Sequence, residues 1–219
     1  WLSERSARLY EPSVELLFMG AADCMRRRAL RPIDDAIADI ARPRIFDVAC
    51  GSGGFLAQLG RAFPGAHLGG CDLSKSYVGR ARQRLAHDGI DADVVVENAE
   101  ALPLKDDLVD VVSCVFLFHE LPREVRRRVA AEMLRVLKPG GTVVVVDAAQ
   151  QHATPTLAAL LDTFPATYHE PYFRSYQHDP LEEVLGDVGF DVTQTQGAFL
   201  SRVVVGVKPG ARVDPRATT

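Results

Sequence analysis

The sequence is poor in the residues that staple small secreted folds. Its 219 residues include only four cysteines, Cys24, Cys50, Cys71 and Cys114, with no CxxC spacing among them. Cys50, Cys71 and Cys114 lie within or at the ends of apolar, strand-like runs. They read as reduced, buried thiols of a cytoplasmic protein, not as a disulfide framework or a zinc site. No apolar stretch approaches the roughly 18 residues of a membrane span. The opening WLSERSARLYEP is charged and lacks the apolar core of a signal peptide. It starts at Trp1 without Met, which reads as a trimmed or partial chain. A basic excess is missing as well: a formal charge of −4 and a pI near 5.9 argue against sequence-independent nucleic-acid binding. The runs Arg26-Arg27-Arg28 and Arg126-Arg127-Arg128 are local exceptions. Both sit beside acids in helical segments, without interleaved aromatics, and are expected on solvated helix faces.

What is present suits one α/β domain: 47% apolar residues and 25% charged ones in a chain long enough for a single sizeable core. Residues 12–41 carry apolar positions at helical spacing, and Pro32 is expected to divide them into two helices. Strands are expected at 44–50, 67–73, 92–99, 108–118 and 142–148. Helices are expected at 53–63, from Lys75 to about His87, and from Arg123 to Leu137, the last stopped by KPGG. Helical pieces fill 155–189, and 191–199 with 201–209 read as a closing hairpin near one edge. Such alternation predicts a doubly wound, mostly parallel, seven-stranded sheet with an antiparallel last strand, preceded by a helical cap. The expected divisions are a helical segment 1–41, a main domain 42–208 and a disordered tail 209–219. The ligand crevice should lie beyond the C-terminal strand ends, around the first turn, Asp72, Asn98, Phe116–His119 and Asp147.

The first turn, FDVACGSGG, decides which ligand fits. A dinucleotide turn wants GxGxxG to seat a pyrophosphate on a helix N-terminus, and here its third glycine becomes Leu or Ala depending on register. A Walker lysine is absent, and Asp47 suits a positively charged ligand better than a diphosphate. A dinucleotide oxidoreductase is therefore disfavoured.

Taken with its later stations, the chain resembles the class I S-adenosylmethionine (SAM)-dependent methyltransferases from about Arg44 to Lys208, and within them the small-molecule, ubiquinone/menaquinone-biosynthesis-like group. Asp47-Val48-Ala49-Cys50-Gly51-Ser52-Gly53 stands for the family's DxGxGxG turn, with Ala49 in place of the first glycine. Asp72 matches the acid that holds the ribose hydroxyls. Glu97-Asn98-Ala99-Glu100-Ala101-Leu102-Pro103-Leu104 matches the adenine station, with Asn98 where an Asp is usual. RVLKPGGTVVVVD is similar to the junction into the fifth strand. The resemblance implies SAM as cofactor, held by Asp47, Ala49, Gly51, Gly53, Asp72, Leu73, Asn98, Ala99 and Phe116, with Tyr10 closing over it. It also implies Gly51 and Gly53 N–H groups free to reach the ligand. Read on their residues alone, Asp47 could equally orient the turn, and Asp72 could cap the following helix.

The resemblance implies in-line methyl transfer to a small-molecule acceptor at carbon, nitrogen or oxygen. The alternative is a SAM-binding protein that transfers no methyl group. His119 is the candidate base, with packing as its other reading, and Glu120 is expected to hydrogen-bond locally. The segment YHEPYFRSY, with Tyr168, His169, Tyr172 and Tyr176, is expected to line the acceptor pocket or else to fill the core edge. VFLFHELP replaces the NPPY motif of base and glutamine methylation, and no catechol-type metal set is evident, so no metal is expected. The implied partner is a small molecule, with no nucleic acid and no membrane span. The oligomeric state stays open, a homodimer included.

Overall fold

The computed structural model describes residues 4–168 and 170–210, so most of the expected 209–219 tail lies outside the described residues. In chain order, helices α1 (Glu4–Leu17), α2 (Ala22–Arg27) and α3 (Leu30–Ile37) lead into β1 (Arg44–Val48) and α4 (Gly54–Ala62). Then follow β2 (His67–Asp72), α5 (Lys75–His87), β3 (Ala92–Val96), β4 (Val109–Val115), a 3-10 turn (Phe118–Glu120) and α6 (Arg123–Val136). The remainder comprises β5 (Leu137–Ala148), α7 (Ala158–Tyr168), α8 (Phe173–Gln177), α9 (Leu181–Val188), β6 (Asp191–Ala198) and β7 (Ser201–Val207). The strands form one seven-stranded sheet, as the alternating pattern predicts, and their order is β3-β2-β1-β4-β5-β7-β6. Strands β1 to β5 pair in parallel, and β7 runs antiparallel between β5 and β6. The order reverses between β1 and β4, and a crevice opens there.

Burial explains the central strands. β4 and β5 are covered on both faces, so successive valines serve opposite layers. Val112, Val143 and Val145 pack with Met133, Val136 and Leu185 from α6 and α9. Val111, Val144 and Val146 pack on the other side with Ile33, Ile37, Leu56 and Leu59 from α3 and α4. On that same face α1 packs against α5, and α2 against α4.

Several expected boundaries are corrected. The first helical region starts at Glu4 and breaks at Met19-Gly20, whose positive φ values of 51° and 83° turn the chain, not at Pro32. Pro32 lies in the first turn of α3, where a missing N–H leaves no helical bond unmade, while Pro12 is carried inside α1. KPGG does not separate α6 from β5: the strand begins at Leu137, and the segment bulges between the pairs Val109–Leu137 and Val111–Thr142. Gly140, at φ 80°, donates its N–H to the Lys208 carbonyl at 2.8 Å, and Lys208 returns a bond to Gly141 at 2.8 Å. β3 ends at Val96, short of residue 99. β4 ends at Val115, because Phe116 takes φ 59° and leaves the ladder.

The two arginine runs are corrected as well: in each, one member turns inward. Arg26 is 7% exposed and faces Glu15. Arg126 is fully buried, and its guanidinium donates to the Phe118 carbonyl (3.0 Å), Asp179 Oδ2 (3.0 Å), the Tyr172 carbonyl (3.1 Å) and Ser175 Oγ (2.8 Å). It also lies over the Tyr176 ring, 5.5 Å from its centroid. One side chain thus ties α6 to the 3-10 turn, α8 and the start of α9. Removing it empties a fully buried volume and takes from Asp179 its one buried arginine, leaving the more exposed Arg123 and Arg127, so Arg126→Ala should lower unfolding stability by about 2–4 kcal/mol in urea denaturation. Arg126→Lys should recover only part of that loss, because an ammonium lacks the planar fork.

Candidate functional site

A cavity of about 250 Å³ opens at the C-terminal ends of β1, β2 and β4, beneath α1. β1 and its turn contribute Asp47, Ala49 and Gly51, and the end of β2 contributes Asp72 and Leu73. Asn98 and Ala99 come from the segment after β3, Phe116 from the end of β4, and Tyr10 from α1. Gly53 is not on the wall. It caps α4 at φ 79°, and a Cβ there would stand 3.0 Å from Ala81 Cβ, so it serves the packing of α4 on α5. Ala49 adopts φ 56°, a conformation that glycine takes at less cost.

The turn's N–H groups are not free. Gly51 donates to Asp72 Oδ2 at 3.0 Å, and Gly53 donates to the Cys50 carbonyl at 3.0 Å, which corrects the expectation that both would await a ligand. Asp72 also accepts from the Ser74 N–H at Oδ1, 2.8 Å away, so both its oxygens are oriented by backbone. Burial raises its carboxyl above the ordinary value, while these two bonds oppose the rise. Asp47 is wholly buried and accepts from Ser113 Oγ at 2.7 Å. Burial pushes it up to about 7, countered by the Ser113 bond and reinforced by the charge of Asp72. Asn98 Oδ1 accepts the Glu100 N–H at 3.0 Å, a local turn that fixes the amide beside the cavity.

Among further polar residues of the wall, sequence reasoning did not place Glu11, Arg26, Tyr77 and Glu120 there. Glu11 accepts from Ser52 Oγ at 2.8 Å and pairs with Arg84, so it ties α1 to the glycine turn and to α5. Tyr10 packs edge-on against Tyr77, with centroids 5.6 Å apart, and burial raises its phenol pKa. Glu11, Arg26 and Tyr77 come from three helices that meet only in the fold. No spacing marks them, and Arg26 is one arginine of three.

On the acceptor side it is Glu120, not His119, that reaches the cavity wall. His119 Nδ1 lies 2.6 Å from Asp147 Oδ1, and its ring is flanked by Phe116, Phe173 and Tyr176 at 6.2–6.4 Å. Its Nε2 stands 3.9 Å from Glu120 Oε1. Burial disfavours the charged imidazole, but the charge and hydrogen bond of Asp147, followed by Glu120 and Glu170, outweigh it and raise the pKa to about 9. His119 is therefore already protonated near neutral pH, which tells against its expected role as proton acceptor. Burial lifts Glu120 to about 7, against the pull of His119.

Of the aromatic segment, Tyr176 is fully buried behind His119 and donates its hydroxyl to the Ala148 carbonyl at 2.6 Å. Tyr172 is exposed, and its carbonyl serves Arg126. Tyr168 ends α7 with its side chain outside the described residues, as is the whole of His169. None of these four lines the cavity among the described residues.

Residues 45–141 match the family described as a methyltransferase domain. Over 223 aligned residues the chain is 30% identical to a demethylmenaquinone methyltransferase of Clavibacter sepedonicus, covering 93% of this chain and 87% of that one. The chain belongs to the class I SAM-dependent methyltransferases. This methyltransferase is also 32% identical over 138 residues to a demethylmenaquinone methyltransferase of Thermus thermophilus, of which the match spans 60%. Its fold is that of the magnesium protoporphyrin IX methyltransferase of Synechocystis PCC 6803, solved with bound S-adenosylhomocysteine (SAH): TM-score 0.64, 20% identity, 87% of this chain and 84% of that one. The methyltransferase uses SAM as its cofactor, and the donor set of the cavity agrees with that ligand's charge. The carboxylates of Glu11, Asp47, Asp72, Glu97, Glu100 and Glu120 face the single guanidinium of Arg26 among the described lining residues. That balance suits a sulfonium and an ammonium and repels a diphosphate. The Asp47 carboxyl carbon, followed by NMR and identified by its loss in Asp47→Asn, should titrate near pH 7. Ser113→Ala removes a donor that favours the charged form, so it should move that midpoint upward.

Proposed function

We propose that this methyltransferase transfers the methyl group of SAM to a small-molecule acceptor of the quinol or phenol kind. The observation that carries the reading is the acid-lined cavity at the switch point of the sheet, with Asp72 oriented across its floor. The named activity of the two demethylmenaquinone methyltransferase relatives supports the acceptor class. When bound, SAM supplies a methyl group already activated by its sulfonium. The chain's own residues then have to hold, align and desolvate the reactants, which can lower the barrier by several kcal/mol.

Asp72 keeps lone pairs beyond those used by Gly51 and Ser74, and these accept the ribose hydroxyls. Asn98 and Ala99 border the adenine. Asp47 faces the ammonium, and Arg26 faces the carboxylate of the amino-acid end. Val115, Leu117, Leu121, Val125 and Val129 form an apolar flank that keeps water from the transfer path. In this reading residues 1–41 cap a 42–208 body, supported by Tyr10, Glu11 and Arg26 on the cavity wall. The chain works in the cytoplasm on a small molecule without a nucleic-acid partner. The net charge of −4 supports the lack of a nucleic-acid partner; no described helix is long and apolar enough to cross a membrane.

Calorimetry should show binding of SAM and SAH but not NAD. Asp72→Ala should weaken SAM binding tenfold to a hundredfold, about 1.5–3 kcal/mol for hydrogen bonds to a charged group. Unchanged affinity in that variant would overturn the assignment of the ribose site. Methyl release from labelled SAM, measured with quinols, phenols and amines, should favour the first two. Turnover confined to amines would refute the acceptor class.

A further inference from the structure

Two His-Glu pairs stand out in the sequence, His119-Glu120 after β4 and His169-Glu170 after α7. The fold brings the described members of both together: the ligand-type atoms of His119, Glu120 and Glu170 all lie within 4.8 Å of one another. Three features set this cluster apart from a solvated acidic patch. The imidazole is enclosed by aromatic rings, and its Nδ1 is held on Asp147 at 2.6 Å, which leaves Nε2 on the side of Glu120. That nitrogen has no hydrogen-bond partner among the described residues, since Glu120 Oε1 stands 3.9 Å away. Finally, Asp147, Glu120 and Glu170 together outnumber the one charge His119 can carry, and no Lys or Arg among the described residues forms an ion pair with any of the three.

We propose that His119, Glu120 and Glu170 bind a divalent first-row cation, Zn²⁺ or Mn²⁺, at the margin of the cofactor cavity. One imidazole and two carboxylates are a donor set for such ions, and the imidazole disfavours Mg²⁺ and Ca²⁺. The Asp147–His119 contact is the outer partner that metal-bound histidines usually have, fixing the ring; the ion would take Nε2 in place of the proton this nitrogen carries near neutral pH, which passes to solvent. Metal–ligand bonds of about 2.0–2.2 Å place neighbouring donors roughly 3–4 Å apart, so the cluster must close by about 1 Å. Glu170, half-buried and attached to a loop, has the freedom to make that movement. Glu120 belongs to both the cluster and the cavity wall, so the cation would sit where an acceptor oxygen can reach its open position. Only that last role rests on the proposed function. Cation binding itself does not.

The test uses the whole chain, stripped with a chelator and titrated with Mn²⁺ and Zn²⁺ in the absence of SAM and acceptor. The expected result is one tightly held equivalent, seen as loss of the free Mn²⁺ paramagnetic resonance signal and as Zn²⁺ retained through desalting. Glu120→Gln and Glu170→Gln should each weaken binding at least about tenfold. Glu170→Gln should keep its SAM affinity, which guards against misfolding as the cause. Less than one equivalent in the wild type, or affinity untouched by both substitutions, would overturn the site. Loss of SAM binding by the wild type would instead sink the proposed function and leave the cation site standing.

Discussion

The working end of the molecule hangs on the carboxylate of Asp147, at the end of β5 and fully buried. One oxygen accepts the N–H groups of Leu117 and Phe118 at 3.0 and 2.7 Å, and the other meets His119 and the N–H of Ala148. An acid in that position has to be fully partnered, because burying an unmatched charge would unfold a domain of ordinary stability. Satisfying it forces the chain leaving β4 to curl over the end of β5. That curl turns Phe116 into a left-handed conformation, puts Leu117 and Glu120 on the cavity wall, and presents the Phe118 carbonyl to Arg126. Sheet, cavity wall and outer helices are thereby held in one register by a single side chain.

The cavity behind it shows how electrostatics selects a ligand before shape does. The charge of Asp72 adds to the cost of ionising Asp47, and both carboxyls are pulled out of water. A site built this way stores an unfavourable charge arrangement that a cation relieves. A phosphate would aggravate it. Methyl transfer from a sulfonium needs little else from the protein than alignment and a dry path, and the apolar flank from Val115 to Val129 meets the second need.

How much of this could be read in advance differs between the sheet and its margins. The parallel strands were legible because β4 and β5 are buried on both faces and so are rich in valine on both. The turn after β1, Asp72 and Asn98 were legible because each is local, a few residues whose spacing carries the geometry. Arg126 was not legible: nothing within its triplet tells the buried member from the exposed ones, and its partners Asp179, Tyr172 and Ser175 lie far along the chain. The same holds for Glu11 and Arg26, which reach the cavity only through helix packing, and for Glu170, which meets His119 across the fold. Proline misled for a related reason. Its effect depends on its place in a helix, and Pro32 falls in a first turn that tolerates it.

The clasp between Glu11 and the glycine turn has a consequence for how the gene can drift. A side chain on residue 54 would place its first carbon 2.5 Å from Glu11 Oε1, so Gly54 leaves just enough room for the acid to reach Ser52 and Arg84. Positions 11 and 54, separated by the whole of the opening helices and the first strand, are therefore one mutational unit. Enlarging residue 54 displaces the carboxylate of Glu11, the flexible end of a long side chain, and so loosens its hold on Ser52 and Arg84.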